Sequence, residues 1–308
     1  MGFSVILKSE LVMLSFLAMG YALAKFKLAE ADHGKSLSSF LVYFITPGMI
    51  ISSFQSMEYN ARDALKLLWF FLVSLIAQVL MFLILIAVLK NRLNDGKYRI
   101  FTIGSFLGNV GFFGQPLISA LIPTEPIVSG YCMLFATSMN LLIFTVGEFM
   151  ITRDRKYISI RRTVINPTVL SVFVAVPLYL MNIKLPSEIQ SVLLTLRAMA
   201  APICMLILGL RLASMKLKEV FTEPFAYLVS AMKLLVFPLF AYALVYFLPW
   251  FDSTFKTSVL IISGTPCAAV IQSLSELHGS EQKNAAYTVL ISSILCAVTL
   301  PLLALILL

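Results

Sequence analysis

Charged residues are scarce in this chain. They make up 12% of its 308 residues, against about 25% in soluble domains, too few to clothe a water-facing surface. All five Asp, at 32, 63, 95, 154 and 252, fall in connections or at the ends of apolar runs. Acids inside a membrane mark cation and proton pathways, so their lack argues against sodium/proton exchange. The two histidines, His33 and His278, sit at connection edges and are too few for a metal site or a proton relay. The four cysteines, Cys132, Cys204, Cys267 and Cys296, lie inside apolar runs and form no CxxC pair. They read as small packing residues rather than disulfide or metal partners. HExxH, Walker and GxSxG motifs are absent, and the glycines of GNVGFFG follow no strand. Neither an enzyme nor a cofactor is expected.

What fills the chain is apolar: 60% hydrophobic residues and a mean hydropathy of +0.95. Ten runs are long enough to cross a hydrocarbon core of ~30 Å. They lie near 5–25, 36–54, 64–89, 99–121, 127–150, 164–181, 190–211, 224–247, 256–277 and 284–307. Barrel strands are shorter and alternate, so the expected fold is an all-α membrane protein of ten transmembrane helices. The first run is too long for a signal-peptide core, and no small-residue cleavage site follows it.

The net charge of +8 does not point to nucleic acid, because its distribution follows the spans. Connections after odd-numbered spans hold sixteen Lys and Arg; the N-terminus and the connections after even-numbered spans hold five. The positive-inside rule then places both termini outside the cytoplasm, with the chain in the plasma or inner membrane.

The longest connection, the basic 151–163, separates a first unit (1–150) from a second (164–308). Four short similarities recur in the same order, at offsets of roughly 150 to 170 residues. KLAE at Lys27 pairs with KLPSE at Lys184, and ITPG around Pro47 with AAPI around Pro202. KLLWFFL at Lys66 pairs with KLLVFPL at Lys233, and GQP at 114–116 with GTP at 264–266. A duplicated unit with an odd number of spans enters the membrane from opposite sides in its two copies. Two inverted five-helix repeats are therefore expected, an arrangement of many secondary transporters.

GNVGFFGQPLISA, residues 108–120, should not persist as an ordinary helix. Pro116 lacks an N–H and clashes with the preceding turn, and Gly108, Gly111 and Gly114 loosen the turns before it. The helix is expected to open across 109–116 and to restart at Pro116, with the N–H groups of Leu117 and Ile118 free. Gly264-Thr265-Pro266 repeats the break in the ninth span. Two half-helix starts facing one centre, with Asn109, Gln115 and Thr265 beside them, describe an anion site; simple proline kinks are the plainer alternative. Lys233 and Arg197 lie within spans. Each either snorkels to the interface or serves the site, Lys233 as a counter-charge to substrate or a partner for a carboxylate. Asn140 either reaches the cavity or makes an interhelical hydrogen bond. Glu148 and Glu276, near span ends, read as solvated carboxylates.

Asn109 followed by Gly114-Gln115-Pro116-Leu117 resembles the N-x-x-x-x-G-x-P-L of the fourth helix in the auxin efflux carrier family. Gly20-Tyr21, KLAE and Pro47 resemble its first two helices, Pro202 and Gly209 its seventh, and Pro266, SELHG at 275–279 and Pro301 its last pair. The resemblance spans nearly the whole chain. It implies an inverted-repeat fold shared with bile-acid symporters. Helices 1, 2, 6 and 7 would form a scaffold and helices 3–5 and 8–10 a moving transport unit, with broken helices 4 and 9 crossing. Asn109, Pro116 and Pro266 would carry over as site residues. The chain departs from the family in lacking a long cytoplasmic loop, in Arg197 where a small residue is usual, and in Gln115 before the proline.

The expected function is secondary transport of small organic anions, carboxylates above all, by an elevator-like shift. The candidate substrate-binding residues are Asn109, Gly114, Gln115, Pro116, Thr265, Pro266, Pro47, Pro202, Lys233 and Asn140, with no metal. The alternatives are a sodium-coupled symporter of bile-acid type, short of oxygen ligands here, and a non-transporting membrane sensor. The expected partners are the substrate and the bilayer; a second copy of the chain is left open.

Overall fold

A computed structural model describes residues 2–30, 33–154 and 164–307. Among them the regular structure is helical, with one isolated β-bridge. Arg155, Lys156, Arg161 and Arg162, which make the 151–163 connection basic, lie outside the described residues. The helices in chain order are α1 (Gly2–Lys25), α2 (His33–Phe40), α3 (Thr46–Gln55), α4 (Ala61–Leu89), α5 (Gly96–Gly104), α6 (Gln115–Leu121), α7 (Ile127–Leu142) and α8 (Glu148–Thr152). They continue as α9 (Pro167–Leu180), α10 (Ser187–Ala213), α11 (Leu217–Thr222), α12 (Pro224–Ala231), α13 (Phe237–Tyr246), α14 (Ser253–Ser263), α15 (Ala269–Leu277) and α16 (Gln282–Leu307).

Among the described residues seven segments are long and apolar enough to cross a membrane: Leu7–Lys25, Ser36–Gln55, Ala61–Leu89, Ile127–Thr152, Ser187–Ala213, Pro224–Tyr246 and Gln282–Ile306. The other three of the ten expected spans are different. The fourth and ninth are interrupted, and the sixth is the 14-residue α9. Large apolar side chains stand exposed along α4, among them Leu65, Leu68, Trp69, Ile76 and Leu83. In water such a stripe would be an association surface; in lipid it is the solvated face.

The helix starts follow local chemistry. Asn60, Asp95, Asn166 and Asp252 each cap a helix by accepting from a backbone N–H two or three residues on. Prolines inside the spans are accommodated less obviously. Leu41–Ile45, Val110–Gly114 and Met232–Val236 are single π-turns, and Pro47, Pro116 and Pro238 follow each of them by two residues. In each, the residue before proline donates to the carbonyl five residues back: Thr46 to Leu41, Gln115 to Val110, Phe237 to Met232. The extra residue in the turn shifts the carbonyl that the ring would strike, so the helix passes through its proline intact.

α1 packs on α10, and α3 packs on both α9 and α10; α4 lies on α7, α12 on α16 and α13 on α14. The α1–α10 contact is backbone against backbone. A Cβ on Gly209 would fall 2.1 Å from Leu17 O and one on Gly20 2.3 Å from Leu206 O, a close approach typical of membrane helix pairs.

One expectation fails here. Glu148 is not solvated: it is 6% exposed and pairs with His278 Nε2 at 2.9 Å, because α8 ends against the turn that follows α15. The two lysines of the KLLWFFL and KLLVFPL match stand in different surroundings. Lys66 lies near the start of α4 and pairs with Asp252 at 2.6 Å, whereas Lys233 is fully buried in a π-turn.

Candidate functional site

Both spans are interrupted, the fourth at 105–109 between α5 and the π-turn rather than across the expected 109–116, and the ninth at 264–268 between α14 and α15. They meet. Gly108 and Cys267 form an antiparallel bridge, in which Asn109 N–H donates to Pro266 O at 2.7 Å and Ala268 N–H to Leu107 O at 3.0 Å. Each break thus satisfies part of the other's backbone, which makes an open helix tolerable inside a membrane. A Cβ on Gly108 would lie 2.6 Å from Thr265 Oγ1 and 3.0 Å from Lys233 Nζ, so the crossing needs glycine there.

The position of the first restart is a correction. The chain resumes helical form at Val110, not at Pro116, with Asn109 outside the helical basin at φ −78°, ψ 59°. The π-turn absorbs Pro116 six residues further on, so the proline does not create the break. The open amides are therefore those of Val110, Gly111 and Phe112 rather than Leu117 and Ile118. In the second break α15 begins at Ala269, three residues past Pro266, which leaves the amides of Ala269 and Val270 open.

The opposite ends of the breaks are closed. Lys233 Nζ donates to Ser263 O at 2.5 Å and to Thr265 O at 2.7 Å, covering the negative end of α14. Two thiols add to the coverage, Cys267 Sγ on Gly104 O at 3.2 Å and Cys296 Sγ on Gly264 O at 3.6 Å; a third, Cys132 Sγ, donates to Val110 O inside the π-turn at 3.3 Å. All four cysteines are buried thiols outside any disulfide. The fourth, Cys204, accepts from Asn109 Nδ2 at 3.7 Å. Thus the carbonyl ends of the breaks carry a lysine and two thiols, while the amide ends have no acceptor among the described residues. An uncapped amide end carries partial positive charge.

A cavity of about 100 Å³ lies against the open amides. Gly108, Asn109, Gly111 and Phe112 wall it on one side with Ala269 and Val270, and Thr46, Met49 and Ile50 of α3 face them. Asn140 and Thr168 add polar groups, Met133 and Met139 an adaptable apolar wall, and no Asp or Glu lines it.

Of the candidate residues, Asn109 and Asn140 line this cavity. Gly114, Thr265 and Pro266 build the crossing behind it: a Cβ on Gly114 would meet Thr265 Cγ2 at 2.9 Å. Pro47, Pro116 and Pro202 do not line the cavity, although Thr46, next to Pro47, does. Lys233 is spent on carbonyls rather than facing the cavity. Gln115 lies one turn away, with its Nε2 on Ser119 Oγ at 3.1 Å and Ser129 Oγ at 3.0 Å. Sequence reasoning missed Thr46 and Thr168, each directly beside a proline at a helix start, where a hydroxyl next to the break in apolar pattern was the available clue.

A family model described as Membrane transport protein matches residues 5–304. A Rhizobium meliloti protein named "Putative malonate transporter" is 23% identical over 91% of this chain and 89% of its own length. An uncharacterized transporter of Methanocaldococcus jannaschii is 25% identical over 92% of each chain. One of Methanothermobacter thermautotrophicus is 25% identical over 96% of each.

Proposed function

Since the chain belongs to the membrane transport protein family, the auxin efflux carrier family that its motifs resemble, we propose that it is a secondary transporter of small organic anions, carboxylates above all. The observation that carries this reading is the asymmetric capping of the crossing. Lys233 and the thiols satisfy the carbonyl ends, and five amides on two half-helices are left beside a cavity without a carboxylate. Such a site attracts negative charge and repels cations. Asn109 and Asn140 supply further donors. The cavity, at about 100 Å³, is smaller than the roughly 150 Å³ cavity that admits benzene, which suits a short acid rather than a steroid or an indole ring. The relative named for malonate fits that size.

The packing supports a two-part mechanism. α1, α3, α9 and α10 would form a static group, and the elements carrying the crossing would shift against it in an elevator-like step. The ten-span inverted repeat and the extracytoplasmic termini, supported by the order of the internal similarities and the Lys/Arg distribution, belong to the same proposal.

Counterflow into proteoliposomes tests it. Vesicles loaded with unlabelled malonate should accumulate labelled malonate, and vesicles loaded with neutral malonamide should not. Asn109→Ala should abolish most of the exchange while leaving the protein folded. Binding without counterflow would make the protein a sensor, and equal exchange with malonamide would refute an anion site.

A further inference from the structure

Arg197 is the cation in this part of the molecule that the transport reading has not used. It projects from α10, and its NH2 donates to Ser129 Oγ at 2.9 Å and Ser119 Oγ at 3.4 Å, its NH1 to Ser56 Oγ at 3.4 Å. Among the described residues no carboxylate lies within 4.0 Å of it. Its counterpart near the end of the same helix, Arg211, does have one, Glu276 at 3.5 Å. A guanidinium half-sunk in a membrane protein without an anion is costly to keep.

The hydroxyls around it are arranged as donors. Ser129 Oγ accepts from both Gln115 Nε2 and Arg197 NH2 and lies 3.4 Å from Ser119 Oγ, so one proton of the two hydroxyls is shared between them and the other is left to give. Ser119 Oγ accepts from Gln115 as well. Arg197 has N–H groups beyond those spent on hydroxyls. The cluster is one turn from the cavity on two helices at once. Gln115 follows Gly111, and Ser129 precedes Met133, where Gly111 and Met133 both line the cavity; a turn is about 5.4 Å. On its other side Ser56 lines a second cavity of about 470 Å³, with Glu58, Asp63 and Glu125 at its wall. Of the cations on the same connections, Lys66 pairs with Asp252 and Lys184 Nζ donates to the carbonyls of Gln55 and Met57; none of these acids lies within 4.0 Å of Arg197.

We propose that Arg197, with Ser119, Ser129 and Gln115, forms a second anion subsite one helical turn from the cavity, which holds the far carboxylate of a two-carboxylate substrate. Arg197 is then the residue that sets preference for a dianion over a monoanion. This rests on the carboxylate-transport reading above, and the test separates the two.

Malonate and malonamate have the same shape and differ by one carboxylate. Titration calorimetry on the purified protein should show malonate binding at least about tenfold tighter, the worth of one charge-assisted pair. Arg197→Gln should erase that preference, mainly by weakening malonate, and Arg197→Lys should keep part of it. If Arg197→Gln does not fold, Ser129→Ala, which removes only a hydroxyl that holds the guanidinium, should narrow the preference several-fold. A wild-type protein without the preference, or an Arg197→Gln protein that retains it, overturns the subsite. An Arg197-dependent preference without counterflow keeps the subsite and removes the transport reading; counterflow with no such preference does the reverse.

Discussion

Replacing Lys233 with Met asks whether the crossing is held by a buried cation. Lys233 is fully buried, and its ammonium makes two hydrogen bonds to main-chain oxygens, to Ser263 and Thr265. Bonds of this charge-assisted kind are worth about 1.5–3 kcal/mol each, so the gross loss is about 3–6 kcal/mol. Met fills similar space and removes the cost of desolvating an ammonium, which returns part of it. What stays behind is the end of α14, a dipole with about half a charge rather than a full anion. The result should fall at the low end, about 3 kcal/mol of destabilisation, below the 3–5 kcal/mol range's upper half for a broken buried pair. Unfolding followed by far-UV circular dichroism during an SDS titration in mixed micelles measures it. The same variant should bind malonate more weakly, because the carbonyl ends would no longer be neutralised beside Gly108, which lines the cavity. Destabilisation under about 1 kcal/mol together with unchanged malonate affinity would refute the claim that Lys233 makes the crossing positive.

Three other substitutions test the packing by the same unfolding assay. Gly209→Ala places a Cβ 2.1 Å from Leu17 O and 2.7 Å from Tyr21 N; it should cost about 3 kcal/mol, the top of the overpacking range, by prying α1 from α10. Gln78→Leu deletes an interhelical bond to Ser138 Oγ at 2.7 Å and one to Ser74 O of its own helix at 3.0 Å, but also a buried Oε1 without a partner; the change should stay below about 1 kcal/mol, as for most interhelical hydrogen bonds in membranes. Glu148→Ala should destabilise by about 1–3 kcal/mol by removing the buried carboxylate that meets His278 Nε2 at 2.9 Å, and Glu148→Gln, which still offers an oxygen, by less; equal losses would show that this hydrogen bond contributes nothing.

Much of the site was legible one-dimensionally, though not in register. The two breaks could be read from Gly108 and Gly264-Thr265-Pro266, because glycine and proline have strong local preferences. The restart could not. Pro116 is the stronger helix breaker on paper, yet a π-turn carries the helix through it, and such a turn has no residue pattern until its neighbours are packed. Asn109 and Asn140 were identifiable as polar residues in apolar runs. Whether Lys233 faced a substrate or a carbonyl depended on which segment lay beside it, and that segment is about thirty residues away in the chain.

Hydropathy by itself determined that this chain is a helical membrane protein, because lipid leaves backbone amides no partner but their own helix. The lack of carboxylates near the two breaks favoured an anion over a cation as the expected guest. Only the tertiary structure decided where charge is left over. Helix ends are polar wherever they occur, and whether such an end is an open site or a satisfied one depends on what packs against it. At this crossing the carbonyl ends received a lysine and thiols and the amide ends received a cavity, a difference that exists only once distant segments are in contact.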